Sequence, residues 1–318
     1  MTTYIMRRLL QSIIVLILLT FLVFLAVHLL PGDPLLLYLS QSEIGSLGPG
    51  KLDALRHEWG LDRPLLMQYV DWMVNVLRGN LGASIFYRDK VSALIFERMP
   101  VTIHLGLLAI SIGAVLGITF GVICALRRGE VSDTVLTFIA NIGITAPGFW
   151  VGILMIYFFA LQLGWLPVQG YTSPLQDFWM STRQLIMPVF CLSLFCLASM
   201  TRQTRSSMLE VVRQDYIRTA WAKGLRERVI VMRHTIKNAL IPVVTMLGMQ
   251  VRVIFGGSVL IETVYNVPGF GRLMVQAVFA HDYQIIQGGV LIIAAIILLS
   301  NLIVDISYGW LDPRIRYG

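Results

Sequence analysis

The sequence predicts an all-α membrane protein that crosses the bilayer six times, with both ends in the cytosol. Of its 318 residues, 56% are hydrophobic and only 14% are charged, and the mean hydropathy of +0.74 is too high for a soluble domain. Several apolar runs exceed about 18 residues, the length that a helix needs to cross the hydrocarbon core. The formal charge is +7, but the basic residues cluster at the ends of the apolar runs. There they orient helices rather than form a surface for nucleic acid.

The first predicted span covers residues 1–30 and is expected to stay uncleaved. Arg7 and Arg8 precede an apolar run, as they would in a secretory signal. The run is longer than a signal core, and no small-residue cleavage site follows it. The helix is expected to end at Pro-Gly-Asp-Pro, residues 31–34, because the residue before a proline disfavours helix.

Residues 31–99 are expected outside the cytosol, because their seven basic and eight acidic residues nearly balance. A run from Gly45 to Lys51 comes close to a phosphate-binding loop, but Leu52 stands where a Ser or Thr must reach Mg²⁺, so no nucleotide site is expected. Residues 64–78 are predicted to form an amphipathic helix that packs on the outer membrane surface or against the outer end of the helix bundle. Its apolar face consists of Leu65, Tyr69, Trp72 and Val76, flanked by Leu66, Met73 and Leu77.

Five further spans are predicted within residues 100–308, and residues 309–318 are expected to form a cytosolic tail. The spans are expected at Val101–Leu126, Thr134–Leu163, about 185–200, about 238–261 and 285–308. Glycines recur along the first of these five, which lets neighbouring helices approach closely; they are Gly106, Gly113, Gly117 and Gly121. The next span is interrupted by Pro147 and Gly148, where we expect a kink.

Three polar residues inside these spans are candidates for a transport path. Asn141 and Thr145 stand just before the expected kink, and hydrogen bonding between helices is the alternative role. Arg252 lies about fourteen residues into the fifth of the six spans. A charge at that depth costs on the order of 2.5–3.5 kcal/mol on insertion scales, so Arg252 must face a wet cavity or a partner. It is a candidate for attracting an anionic group of a transported solute, and a buried hydrogen-bond network is the alternative.

The loop at residues 202–237 is strongly basic. It carries nine basic and three acidic residues, a net charge of +6, and a short loop so biased stays in the cytosol. Ala220 and Gly224 stand four apart, so on a helix they form one small face that another protein's backbone could approach. Gly224 can also end that helix by adopting a positive φ. The alternative is a loop that only sets the topology.

A second short helix is predicted within this loop at residues 225–233. Its apolar positions recur at helical spacing and are Leu225, Val229 and Met232. A helix, a glycine and a second helix that project from a membrane protein into the cytosol suggest a docking surface.

Residues 215–224, DYIRTAWAKG, resemble the cytoplasmic signature of ABC-importer permeases in the variant of the peptide, nickel and glutathione branch. Ala220 and Gly224 match the general signature, while Arg218 and Thr219 occupy its first two places, as is usual in that branch. Four further stretches resemble the same branch. They are PGDP at 31–34, GWLP at 164–167, ETVYNVPGFGR at 262–272 and WLDPRIRY at 310–317.

This resemblance implies the type I importer permease fold for residues 100–308, with the basic loop seated in a cleft of a separate ATPase subunit. The residues it implies for coupling are Asp215, Arg218, Ala220, Gly224, Leu225, Glu227 and Arg228. It implies two ATPase subunits, a second homologous permease subunit in a heterodimer, and an extracytoplasmic substrate-binding protein. No cofactor is expected in this chain. The implied function is the import of dipeptides or oligopeptides, or of nickel, glutathione or another small solute, across a bacterial or archaeal cytoplasmic membrane.

Two functions of other classes compete with this one. Only the basic loop at residues 202–237, with its resemblance to an ATPase-coupling element, argues against a passive channel. An intramembrane enzyme would need a Ser–His pair or paired carboxylates within the spans, and His104 and Ser111 are seven residues apart, too far for a hydrogen bond. The three cysteines all lie in apolar segments and form no metal-binding pair. Because no nucleotide site is expected at residues 45–51, ATP hydrolysis is expected on separate subunits.

Overall fold

A computed structural model describes residues 2–29, 62–84 and 86–311, together with the single positions 50, 54 and 57. The described residues are helical apart from turns and one isolated antiparallel bridge between Ala83 and Lys90. The predicted all-α class is confirmed.

Eleven α-helices follow one another in the described part of the chain, and two of them continue as π-helix. They are α1 Thr2–His28, α2 Leu65–Leu77, α3 Val91–Leu126, α4 Val131–Thr145, α5 Gly148–Met155 with its π-helical continuation Ile156–Gln162, α6 Phe178–Val212, α7 Asp215–Ala222, α8 Glu227–Val229 with its π-helical continuation Ile230–Thr235, α9 Ile236–Val264, α10 Phe270–Phe279 and α11 Tyr283–Leu311.

Five helices of the described residues are long and apolar enough to cross a membrane, and the number is six if one bent pair counts as a single span. That pair is α4 and α5, which meet at 103°. The break falls at Ala146 and Pro147, where Ala146 adopts an extended conformation with ψ of 125°. Steric conflict with the proline ring keeps the preceding residue out of the helical region. The predicted interruption of this span is thus confirmed.

Residues 1–100 and 273–299 form one compact unit. Within it, α2 packs against α1 through a cluster centred on Phe24, Tyr69 and Trp72. The Tyr69 hydroxyl lies 2.9 Å from Thr20 Oγ1, so the polar end of the ring is also satisfied. The amphipathic helix predicted at residues 64–78 is confirmed. However, Leu65 of the predicted apolar face is exposed, as are Leu66 and Leu77 at its edge.

Residues 101–272 and 300–318 form the other unit, in which α6 packs against α3, α4 and α9. Glycines permit two of these contacts. A Cβ at Gly117 of α3 would lie 2.6 Å from the Leu197 carbonyl oxygen, and one at Gly143 of α4 would lie 2.7 Å from the Leu194 carbonyl oxygen. Both distances are shorter than a side chain tolerates, so glycine is required for the approach. The role predicted for the glycines of α3 is confirmed at Gly117.

Several boundaries differ from the sequence prediction. α3 begins at Val91 rather than at 101, and α6 begins at Phe178 rather than at about 185. α6 continues to Val212, so the first part of the predicted basic loop is helical; Thr204, Ser207 and Met208 are buried there against neighbouring helices. α9 continues to Val264, beyond the expected end of the span at about 261, so Glu262 belongs to that helix. The second short helix of the basic loop begins at Glu227, because a turn precedes it.

Candidate functional site

The helix α7 is the centre of the predicted coupling loop, and one side of it is buried. Ile217 and Ala220 pack against Val211 at the end of α6 and against Ile230. Because Ala220 is only 6% exposed, the interpretation that it shares an open face with Gly224 is wrong. Ala220 lies three residues after Ile217, on the same side of the helix, and this apolar side is covered by the protein's own residues.

The other side of α7 and the turn after it face outward. We call this surface the coupling surface; its exposed residues are Asp215, Tyr216, Arg218, Thr219, Trp221, Ala222, Lys223, Gly224, Leu225, Arg226, Glu227 and Arg228. Gly224 has a φ of +72° and ends the helix, as predicted. A Cβ at Gly224 would meet no atom within 4 Å. The surface therefore presents the two aromatic rings of Tyr216 and Trp221 and one leucine among mostly charged groups, with open space over the glycine.

α7 is attached to two of the long helices. Val211 connects its buried side to the end of α6. On the outward side, Asn238 Nδ2 of α9 donates a hydrogen bond of 3.1 Å to the Tyr216 hydroxyl. A displacement of α7 would thus act on α6 and α9 together.

A cavity of about 710 Å³ lies between α4 and α6, close to the end of α6 that leads into α7. Nine of its twelve lining residues have polar or charged side chains; the twelve are Thr137, Ala140, Asn141, Ala198, Thr201, Arg202, Arg205, Ser206, Leu209, Glu210, Arg213 and Gln214. Asn141 is the candidate transport residue that lines it, whereas Thr145 and Arg252 do not. The cavity contains more cationic than anionic side chains.

A buried ion pair joins α4 to α6 beside this cavity. Arg205 Nε and Nη2 donate to the two oxygens of Asp133, each at 2.9 Å. The Asp133 side chain is 9% exposed and that of Arg205 is 32% exposed. The Gly129 N–H at 3.1 Å and the Thr137 hydroxyl at 3.3 Å also donate to the carboxylate. Sequence reasoning missed this pair because its members are 72 residues apart; its only signal was one acid at the start of a span.

Thr145 and Arg252 are placed differently from Asn141. The Thr145 hydroxyl donates to the Asn141 carbonyl oxygen at 3.0 Å, one turn back on its own helix. Arg252 is exposed on α9, and no hydrogen bond or ion pair of the described residues involves it.

A second buried carboxylate, that of Glu262, lies near the C-terminal end of α9. Glu262 is fully buried and accepts hydrogen bonds from the Thr102 hydroxyl at 2.6 Å and from the Arg272 N–H at 2.8 Å. The same Thr102 hydroxyl accepts from the Phe270 N–H at 2.8 Å. These donors include backbone groups of the first turn of α10, where a carboxylate is favourable. This network stabilises the turn between α9 and α10.

Comparison with known proteins identifies the class of protein. The family model described as "Binding-protein-dependent transport system inner membrane component" matches residues 117–317, and the model of its N-terminal region matches residues 1–106. The chain therefore belongs to this family. It is a multi-pass inner-membrane component of a binding-protein-dependent transport system, which sets aside the passive channel.

Individual relatives match over the full length. The chain is 42% identical over 317 residues to the probable peptide ABC transporter permease protein y4tP of Sinorhizobium fredii, with 100% of both chains covered. It is 37% identical over 337 residues to the di/tripeptide transport system permease protein DppB of Pseudomonas aeruginosa, covering 100% of this chain and 99% of that protein. Among solved structures, the inward-facing MetNI methionine ABC transporter matches with a TM-score of 0.57 at 17% identity, covering 70% of this chain and 97% of that chain. The predicted importer permease fold is confirmed.

Proposed function

We propose that this chain is the membrane-spanning permease subunit of an ATP-driven importer of dipeptides or oligopeptides. The observation that carries the proposal is the full-length similarity to y4tP and DppB, whose names state peptide transport. Nickel and glutathione are the alternative substrates within the branch that the sequence resembles.

The coupling surface supports docking to a separate ATPase subunit. Trp221 and Leu225 are 50% and 37% exposed and stand among charged side chains, and an aromatic anchor within a polar rim is typical of a protein interface. Its position in the basic loop places it in the cytosol by the positive-inside rule. ATP is hydrolysed on two such ATPase subunits, a second homologous permease completes the membrane part, and a binding protein delivers the solute from outside.

The transport path includes Asn141 and Arg252. Asn141 lines the cavity between α4 and α6, whose volume of about 710 Å³ is large enough for a small peptide. Arg252 is exposed on α9, and its guanidinium has no partner among the residues that the structure describes, which supports a role in meeting an anionic group. A peptide carries such a group at its C-terminus, and a guanidinium binds a carboxylate through two parallel hydrogen bonds.

The proposal is tested by reconstitution with the cognate ATPases and binding protein in vesicles. Uptake of a labelled dipeptide is measured beside uptake of nickel and of glutathione. In the same vesicles, Gly224→Asp is expected to abolish uptake while the complex still assembles. The change forces a side chain into a positive-φ conformation and adds a carboxylate to the coupling surface.

Gly79→Asp is the matched control. Gly79 has a φ of +80° and the same open space around a Cβ, but it lies outside the basic loop, so uptake is expected to persist. Near-normal uptake by the Gly224 variant would refute the coupling role. Uptake of nickel or glutathione without peptide uptake would refute the proposal that the substrate is a peptide.

The orientation is tested with single cysteines at Leu175 and Ser206, both exposed. A membrane-impermeant thiol reagent added outside cells is expected to label the Leu175 position and to leave the Ser206 position unlabelled. The native cysteines are buried and are replaced in this background. Labelling of both positions from outside would contradict the six-span topology.

A further inference from the structure

Two of the contacts between α4 and α6 differ in kind. At Gly143 the helices meet in close backbone packing, against the Leu194 carbonyl group and the Ala198 side chain. At Asp133 they meet through the bidentate ion pair with Arg205. The two contact points are ten residues apart on α4, about 15 Å along a helix. A closely packed contact allows one helix to pivot on the other. A bidentate ion pair also fixes the orientation of the two helices relative to each other.

The ion pair lies on the part of α6 that leads into α7. Arg205 stands seven residues before Val212, about two turns from the end of α6. Val211, in the last turn, packs against the buried side of α7. The path from the coupling surface to Asp133 therefore runs along one continuous helix.

α4 is a short rod that ends at the break beside Pro147. The 103° bend separates α4 from α5, so no continuous helix fixes its far end. Asn141 lies between the two contacts with α6 and lines the cavity. A tilt of α4 about Gly143 would change the shape of this cavity.

We propose that the Asp133–Arg205 pair is the link that carries movement of α7 and α6 to α4, and so to Asn141 and the cavity. This inference rests on the proposed function, because an ATPase at the coupling surface supplies the movement. Asp133 and Arg205 are positioning residues, because they act on the path through α4.

The geometry allows the Asp133–Arg205 ion pair to be removed without unfolding α4. If the guanidinium is removed, the Gly129 N–H and the Thr137 hydroxyl still donate to Asp133. Both donors belong to α4 or to the turn before it, so the start of α4 keeps its local bonds. Only the ion-pair connection to α6 is lost, and the contact at Gly143 remains. Lysine at position 205 would keep the charge but could not form the two parallel hydrogen bonds.

The experiment follows the two helices separately in the complex with its ATPases. One reporter is Asn141→Cys on α4 and the other is Arg202→Cys on α6; both positions are exposed, and the native cysteines are buried. Thiol labelling rates are measured without nucleotide and after trapping with ATP and vanadate. In the otherwise unchanged protein, we expect trapping to alter both rates several-fold. With Arg205→Gln, the α6 reporter keeps its response and the α4 reporter loses most of it.

Three further variants make the result decisive. Arg205→Lys is expected to give an intermediate α4 response. Asp133→Asn combined with Arg205→Gln removes both charges and is expected to lose the α4 response as fully as Arg205→Gln alone; this double variant serves if the single variant does not assemble. Arg63→Gln is the control, since it breaks an exposed ion pair with Asp71 far from the loop in sequence, and it should leave both responses intact.

A full α4 response in Arg205→Gln or in the double variant would overturn the proposal, and so would equal losses at both reporters. Peptide uptake is measured in the same preparation. If the unsubstituted complex responds to nucleotide but imports no peptide, the proposed substrate fails while the link stands or falls on the labelling alone.

Discussion

The buried carboxylates Asp133 and Glu262 are held in different ways. Asp133 is paired with a charged group, the guanidinium of Arg205, whose side chain is 32% exposed. Glu262 is held by neutral donors, the Thr102 hydroxyl and the Arg272 N–H, and is fully buried. Both belong to the unit that includes α4, α6 and α9.

The difference separates a movable contact from a permanent one. The Asp133 contact joins two helices through one long side chain that can still reach solvent. The Glu262 contact uses backbone groups at the start of α10, and glycines at positions 269 and 271 leave room for the carboxylate. The neutral donors to Glu262 lie inside a packed turn, where water cannot reach them as an alternative partner. We therefore expect the first contact to respond to conformational change and the second to stay closed.

The largest stability effect is expected from Arg205→Gln. It leaves a buried carboxylate without its counter-charge, which costs on the order of 3 kcal/mol. Because Gly129 and Thr137 continue to donate, the cost should fall at the low end of the range for such pairs. The additional change Asp133→Asn should recover more than half of the loss. The measurement is the fraction of folded protein against temperature in detergent, for the two variants side by side.

Salt sharpens this prediction. An ion pair with a partly exposed partner is weakened by screening, so the penalty of Arg205→Gln should be smaller at high salt than at low salt. A penalty that does not change with salt would mean that solvent does not reach the pair, and the proposed contrast with Glu262 would be lost.

A smaller effect is expected from Glu262→Gln. The amide replaces one acceptor oxygen by an N–H₂ group that faces a donor, and an unpaired buried donor costs about 1–3 kcal/mol. The penalty should be independent of salt, because its partners are neutral. Thermal unfolding in the same detergent checks both points. Unchanged stability would contradict the assignment of Thr102 and Arg272 as donors to the two carboxylate oxygens.

The smallest effect on stability is expected from Arg252→Gln, since Arg252 is exposed and has no partner among the described residues. Its effect should fall on transport instead. Uptake of a peptide with a free C-terminal carboxylate should decrease several-fold more than uptake of the corresponding amide, at equal membrane abundance. Equal decreases for the two substrates would remove Arg252 from the path.

Much of the architecture was decided by local sequence. The spans follow from apolar runs, the break of α4 and α5 from Pro147, and the end of α7 from Gly224, because each depends on the chemistry of a few consecutive residues. The family resemblance was likewise readable in five short stretches. Orientation of the basic loop also rests on local charge, and it remains a prediction.

The tertiary structure alone decided which residues meet. Ala220 matches a family signature and looks like part of a docking face, yet packing of α7 against Val211 and Ile230 buries it. Asp133 and Arg205 are 72 residues apart, and Thr102 and Glu262 are 160 residues apart. Their pairing depends on how α3, α4 and α9 pack around α6. Helix propensity and hydropathy are properties of neighbours along the chain, so they determine which segments become helices but not which side chains those helices bring together.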